Sequence, residues 1–380
     1  MMTTINDINR YKSITVNPLL SPDQLFELYS VPSFDNQYPE VVTGKEIGST
    51  KVAVQENDVL ICKINPRINR VWVVKHNTQY PLIASSEWIV VRSPENDSNY
   101  LKWYFSSPQF KNLMVSQVTG IGGSLTRAQP KQVATYPVPL PDFPTQRRIA
   151  NTLDKVAEGI ALCRKMVDEC DLMVKAKFVE MFGDPIANNK GWTMTTLGEI
   201  ADIRIGPFGT MLHKEDYLKG GHALVNPSHI INGEIITDEG LTIDDKKYDE
   251  LASYHLHIND VVLGRRGEMG RCAVVHEEGL LCGTGSMIIR PNEKMRPYFL
   301  QNIISSPGYR KLIEDKAVGV TMMNLNVPIV SKLSFPLLPI DKQENFIKFM
   351  QQVDKSKLTI RRIRDKMEME KLALMQEYFG

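Results

Sequence analysis

The chain has 380 residues, 42% of them apolar and 23% charged, and its 45 basic and 44 acidic side chains leave a formal net charge of +1. This length exceeds what one hydrophobic core usually spans and predicts two or three domains, while the near-neutral balance excludes nucleic-acid binding by bulk charge and leaves only local basic patches. No uncharged apolar run of about 18 residues occurs, and the opening MMTTINDINRYK has no leader-like apolar stretch, so a cytoplasmic location is expected.

In chain order, DVLICKI (58–64), RVWVVK (70–75) and EWIVVR (87–92) are short runs rich in β-branched residues and predict strands. The turn INPRIN (64–69) separates the first two, with Lys63, Arg67 and Arg70 around it. A helix is expected near 98–117, then a Gly-rich stretch, TGIGGSLTR (119–127), ending on Arg127. The Pro-rich YPVPLP (136–141) ends an extended segment and starts a long helix, because Pro fixes φ and cannot continue a preceding helix. In that helix Ile149, Leu153, Val156, Ile160, Cys163, Val167, Cys170 and Val174 alternate spacings of four and three, a coiled-coil seam. The helix stops at Phe182-Gly183, followed by Asp184-Pro185.

The remainder repeats this plan. HALVNPSHI (222–230), DVVLGRR (260–266), CAVVHE (272–277) and SMIIRP (286–291) read as strands, followed by a helix near 297–316 and a second Gly-rich stretch, AVGVTMMNLN (317–326). GRRGEMG (264–270) reads as a tight hairpin, with Arg265, Arg266 and Arg271 around it. The last helix carries Phe346, Met350, Val353, Ile360, Ile363, Met367, Leu374 and Tyr378 along a less regular stripe that Lys357 interrupts. A shift of 197 places residues 146–183 on 343–380 without a gap, and SSPQFKNLM (106–114) corresponds to SSPGYRKLI (305–313). A period this long is a duplicated domain plus helix, not a solenoid. Helices of this length span about 57 Å, too long for the inside of one small domain. A single apolar stripe on each is satisfied if the two pack together antiparallel; two ordinary core helices are the alternative. The expected fold class is α+β, with a curved sheet and flanking helices in each globular half.

Catalytic signatures are missing from the sequence. Gly44-Lys45 is followed by Glu46, so there is no phosphate loop, and GxSxG and HExxH do not occur. No NPP-aromatic tetrapeptide of an amino-methylating enzyme is found. Asp244-Asp245-Lys246 alone is weak support for a nuclease. The five cysteines are odd in number and lack CxxC pairing; Cys272, His276 and Cys282 would need a fourth zinc ligand, so reduced buried thiols are the expected state. No metal or other cofactor is expected. The chemistry on offer is arginine, suited to guanine edges and phosphate, with capping or pairing to nearby acids as the alternative for any one residue.

VPLPDFPTQRRIANTLD (138–154), leading into a heptad helix that closes on FVEMFGDP, resembles the first spacer helix of type I restriction-modification specificity subunits. LLPIDKQENFIKFMQQVD (337–354) through EYFG resembles the second. LYSVPSFDNQYPEVVTGKEIGSTK (28–51) and INPRINRVWVV (64–74) resemble a first target-recognition domain, and WTMTTLGEIADIRIGPFGT (192–210), which contains Arg204, with DVVLGRRGEMGR (260–271) resembles a second. The resemblance implies target-recognition domains at 1–143 and 184–340, and spacer helices at 144–183 and 341–380. It also implies a non-catalytic subunit in which each domain reads one half of a bipartite double-stranded DNA site. Lys63, Arg67, Arg70, Arg127, Arg204, Arg265, Arg266 and Arg271 are the expected DNA contacts. Ile149, Leu153, Val156, Ile160, Val167, Phe346, Met350, Val353, Ile360 and Met367 are the expected helix-packing residues. The partners it implies are two adenine-methyltransferase subunits docked on the helices and a helicase-nuclease restriction subunit. The competing classes are a stand-alone DNA-modifying enzyme and a coiled-coil scaffold without DNA readout.

Overall fold

A computed structural model describes residues 3–116, 118–119, 126–317 and 324–380. The chain divides into two compact units, Met1–Met166 with Ile360–Gly380, and Val167–Thr359.

The first unit holds a three-stranded antiparallel sheet, with β1 (Val59–Cys62) between β2 (Val71–Val73) and β3 (Trp88–Val91). Strand β1 is an unbroken apolar run because both of its faces are covered. Val59 and Ile61 join the cluster built on α1 (Ser98–Phe105), while Leu60 and Cys62 face Trp72 and Trp88, as the two-residue period of a strand requires. A five-stranded sheet accompanies it, ordered Thr15–Val16, Lys51–Ala53, Leu82–Ala84, Leu25–Tyr29, Glu40–Thr43. The long helix α2 (Phe143–Phe182) begins in this unit.

The second unit repeats the plan. Its main sheet runs β4 (Ala201–Ile205), β7 (Ser286–Pro291), β5 (Val261–Gly264), β6 (Cys272–Val274), all antiparallel. Val261 and Leu263 face the cluster that includes Phe299 and Leu300 of α3 (Pro297–Ser305), whereas Val262 and Ala273 face the opposite cluster. A smaller sheet joins Thr242–Ile243, His222–Val225, Leu280–Cys282 and His255–Leu256. The final helix α4 (Ile340–Phe379) starts in this unit.

Where one helix is expected near 98–117 and another near 297–316, each is two helices. The breaks fall before Pro108 and Pro307, at Ser-Pro steps, because the residue before Pro is disfavoured in the α region. The hydroxyls of Ser107 and Ser306 then accept from the amides of Phe110 and Tyr309, capping the second helix of each pair.

Polar anchors also recur. Arg92 donates two bonds of 2.7 Å to the carboxylate of Asp58, and Arg290 does the same to Asp260. The amides of Gln55 and His257 donate to those same carboxylates at 2.9 Å. Asn57 and Asn259 precede the two aspartates with φ of 70° and 75°, a region Asn tolerates better than most residues. At the start of each long helix a buried glutamine forms a three-way clamp. Gln146 accepts from the amide of Asp97 and donates to the Asn96 side chain and the Pro141 carbonyl. Gln343 accepts from the amide of Arg296 and donates to the carbonyls of Lys294 and Leu338. Gln146→Leu keeps the volume and strands all three partners, so it is expected to cost about 2 kcal/mol. The same variant should raise hydrogen exchange at residues 141–150, and unchanged exchange there would show that the clamp holds nothing.

The helices meet in opposite senses. In the first unit the start of α2, through Ile149 and Leu153, shares a cluster with Met375 and Phe379 at the end of α4, and Arg164 pairs with Glu368 at 2.9 Å. In the second unit the end of α2, through Phe178 and Phe182, packs on Phe346 at the start of α4. The pairing is antiparallel. Ile149, Leu153, Ile160, Phe346 and Val353 are buried, and Val156, Val167, Met350, Ile360 and Met367 are half-buried. Ile363, read as part of the stripe, is 49% exposed; the inward positions of the last turns are held instead by Met375 and Phe379. Lys357, the polar interruption, is accommodated by an ion pair to Asp171 at 2.6 Å.

Candidate nucleic-acid interface

The turn between β1 and β2 is fixed by its asparagines and by a returning segment. Asn65 and Asn69 sit at φ of 47° and 52°, left-handed values that short polar side chains tolerate. The Ile68 and Asn69 amides close the turn onto the Asn65 and Pro66 carbonyls. The stretch Thr126–Ala128 then lies alongside: the Asn65 amide donates to the Thr126 carbonyl at 3.0 Å and the Ala128 amide to the Lys63 carbonyl at 2.9 Å. Chain positions about 60 residues apart are thereby brought to one edge of the sheet.

Around this turn the basic side chains differ in freedom. Lys63 donates to the Ser86 carbonyl at 2.7 Å and stands 3.9 Å from the Glu87 carboxylate. Arg127 donates to the other oxygen of Glu87 at 3.1 Å. Arg70, only 16% exposed at its side chain, lies 3.8 Å from Asp35. Arg67 is exposed, with no side-chain partner among the described residues. Four buried polar atoms here have no hydrogen-bond partner among the described residues: Asn69 Oδ1, Arg70 Nε, Glu87 Oε2 and Thr126 Oγ1. Orphans of this kind are normally rare, and these four gather at one turn.

The corresponding turn of the second unit lies between β5 and β6. Gly267 and Gly270 take φ of 78° and 74°, and a Cβ on Gly270 would stand 2.6 Å from Arg310 Cγ and 3.1 Å from the Ile304 carbonyl oxygen, so glycine allows the turn to lie flat on the helices. The returning strand recurs: the Leu325 amide donates to the Arg265 carbonyl at 3.0 Å, and Arg266 bridges Asn324. Arg265 Nε donates to Asn324 Oδ1 at 3.0 Å, and burial, then the adjacent Arg266, pushes its guanidinium below its ordinary pKa. Arg271 bonds Glu268 and the Pro227 carbonyl, and Arg310 also pairs with Glu268. The Arg271 hydrogen bond is the main cause holding Glu268 below the usual carboxylate range. Arg266 is exposed, without a side-chain partner among the described residues.

Of the expected contacts, then, Lys63, Arg67, Arg70 and Arg127 gather at one turn, and Arg265, Arg266 and Arg271 at the other. Arg204 lies on β4 and pairs with Asp202 on its own strand. Glu87, Glu268 and Asn324 belong to the same edges, and none of them was among the expected contacts. Residues 120–125 and 318–323, the centres of the two Gly-rich stretches, lie outside the described residues. Among the described residues no group of three His, Cys, Asp or Glu is placed to hold a metal. Cys272 is buried against Gln301 and Ser305, its thiol raised to about 11 by burial, and His276 stacks on Tyr298. Asp244 caps a short helix and Asp245 pairs with His222, which absorbs the acidic pair. No helix among the described residues is long and apolar enough to cross a membrane.

Two copies of one sheet-and-turn frame, each presenting arginines at its edge, give the chain a duplicated architecture. Residues 189–370 match the family model described as the type I restriction modification DNA specificity domain. The MjaVIII type I restriction enzyme specificity subunit of Methanocaldococcus jannaschii is 18% identical over 81% of this chain and 75% of its own. The MjaX specificity subunit of the same organism is 26% identical over half of this chain and 45% of its own. The fold is shared with a solved chain from a type I restriction-modification system (TM-score 0.67, 16% identity, covering 100% of this chain and 97% of that one). It is shared also with the type I specificity subunit from M. genitalium (TM-score 0.55, 14% identity, covering 100% and 96%). Residues 189–370 thus carry a type I restriction-modification DNA specificity domain, and the chain as a whole shares the fold of type I specificity subunits.

Proposed function

We propose that residues 1–143 and 184–340 are separate target-recognition domains, each reading one half of a bipartite duplex site through the edge built on its hairpin turn, and that residues 144–183 and 341–380 are the spacer helices. The observation that carries this reading is the repetition of one turn-and-return frame with different side chains at matching places: a common scaffold with changed readers is what two different half-sites require. Arg67 and Arg266, exposed and without side-chain partners among the described residues, are the side chains best placed for bidentate contact to guanine. Lys63, Arg70, Arg127, Arg204, Arg265 and Arg271 supply phosphate contacts or hold the turns, since phosphate contacts set register without specifying sequence. The outward faces of the helices carry apolar side chains such as Leu162, Leu172 and Met369, the last 73% exposed. These faces suit docking of two methyltransferase subunits, with the restriction subunits joining through the complex. Such a complex acts in the cytoplasm.

The test is a map of methylated adenines in cells carrying the full chain with its methyltransferase partner. Arg266→Ala is expected to relax one position of one half-site, reducing discrimination there by about 1–3 kcal/mol, and to leave the other half-site intact. Equal weakening of both half-sites would refute two independent readers.

A further inference from the structure

The backbone pairs the two reading edges position by position. The Lys63 amide donates to the Glu87 carbonyl at 3.0 Å, and the Arg265 amide to the Gly285 carbonyl at 3.0 Å; the bridge from Ile64 to Arg127 matches the one from Arg266 to Asn324. Glu87 therefore corresponds to Gly285, and Arg127 to Asn324. Cationic donors stand at both edges, but only the first has a carboxylate at this place in the frame. That carboxylate is incompletely used. Among the described residues the buried Oε2 has no hydrogen-bond partner, with Lys63 Nζ 3.9 Å away, and Oε1 accepts from Arg127, whose side chain is 56% exposed. An ion pair with so exposed a partner is worth little, so Arg127 exchanges it readily for a DNA phosphate. Glu87 also lines an open cavity of 420 Å³ that includes Ile64 and Ser85, which gives an incoming base edge room beside it.

We infer that Glu87 is a specificity-determining residue of the first reader and accepts a hydrogen bond from the exocyclic amine of a cytosine. The inference rests on the first unit being a DNA reader. Arginine and lysine donate, and so recognise the acceptors on guanine; an amine needs an acceptor, and Glu is the side chain that accepts from cytosine N4. Adenine also offers an amine, but its N7 acceptor lies beside it and would face the carboxylate's second oxygen. Cytosine has no acceptor in that position. The second edge, with Gly285 in this place, lacks the corresponding readout.

The test uses the full chain with its methyltransferase partner, first mapping the wild-type methylation motif and then measuring binding to duplexes carrying each base pair at every position of the first half-site. Glu87→Gln keeps the shape and adds a donor. It is expected to lower the preference for C·G at one position of the first half-site by about tenfold, with the second half-site unchanged. Glu87→Asp withdraws the carboxylate by one methylene and should weaken the same position, which keeps the test decisive if the first variant folds poorly. A wild-type first half-site without a required C·G pair overturns the inference, as does a base preference unmoved by both variants. A wild-type chain with no bipartite motif would instead refute the two-reader function itself.

Discussion

Phe346→Ala is expected to destabilise the second unit by about 4 kcal/mol, within the range for deleting a buried aromatic ring. Phe346 is fully buried, with its ring centroid 5.4 Å from both Phe178 and Phe182 and 6.1 Å from Phe299. The site joins three elements: the end of α2, the start of α4, and α3. Two of the three are 40-residue helices that cannot shift locally, so relaxation is limited and the larger part of the cost stays. Denaturant titration should move the transition of this unit and leave that of the first unit in place. A loss below about 1 kcal/mol would mean that the helices collapse onto the gap, and that the aromatic cluster is softer than its packing implies.

Arg92→Leu is expected to cost the first unit about 3 kcal/mol, because it strands the Asp58 carboxylate, whose side chain is 1% exposed, without its counter-charge. The figure is at the low end for a broken buried pair because Arg92 itself is 24% exposed and Asp58 keeps the bond from Gln55. Adding Asp58→Asn to the same chain should recover part of the loss, since an amide needs no counter-ion. If the double variant is no more stable than Arg92→Leu alone, lost packing of the arginine stem is the cause and not the unpaired charge. The same logic applies to Arg290 and Asp260, whose carboxylate is equally covered.

What was legible in the sequence follows from which physical signals are local. Strands β1 and β5 could be read because burial on both faces makes them continuous apolar runs, and the long helices because their seams repeat every three or four residues. The five-stranded sheet of the first unit was not read. Its strands, such as Glu40–Thr43 and Lys51–Ala53, are short and mixed in polarity, and their pairings, Leu28 with Ile83 for example, join distant positions. The place of Lys357 in the helix seam depends on Asp171, 186 residues away, so spacing alone reads it as a defect. The candidate edge was half legible. Arginine-rich turns are visible as turns, whereas the roles of Glu87 and Asn324 depend on returning strands that only the fold brings back.

The first unit takes its last pieces from the far end of the chain. Phe379 lies 5.7 Å from the rings of both Tyr100 and Tyr104, and Met375 shares their cluster. During synthesis, strands β1 to β3 and helix α1 leave the ribosome long before those two residues do, and the second unit is made in between. The first unit therefore keeps an aromatic face uncovered until the end of α4 has been made. A chain lacking Met375 and Phe379 would leave Tyr100 and Tyr104 uncovered, so the unit made first is the one left with the exposed apolar surface that makes unfinished chains prone to aggregation.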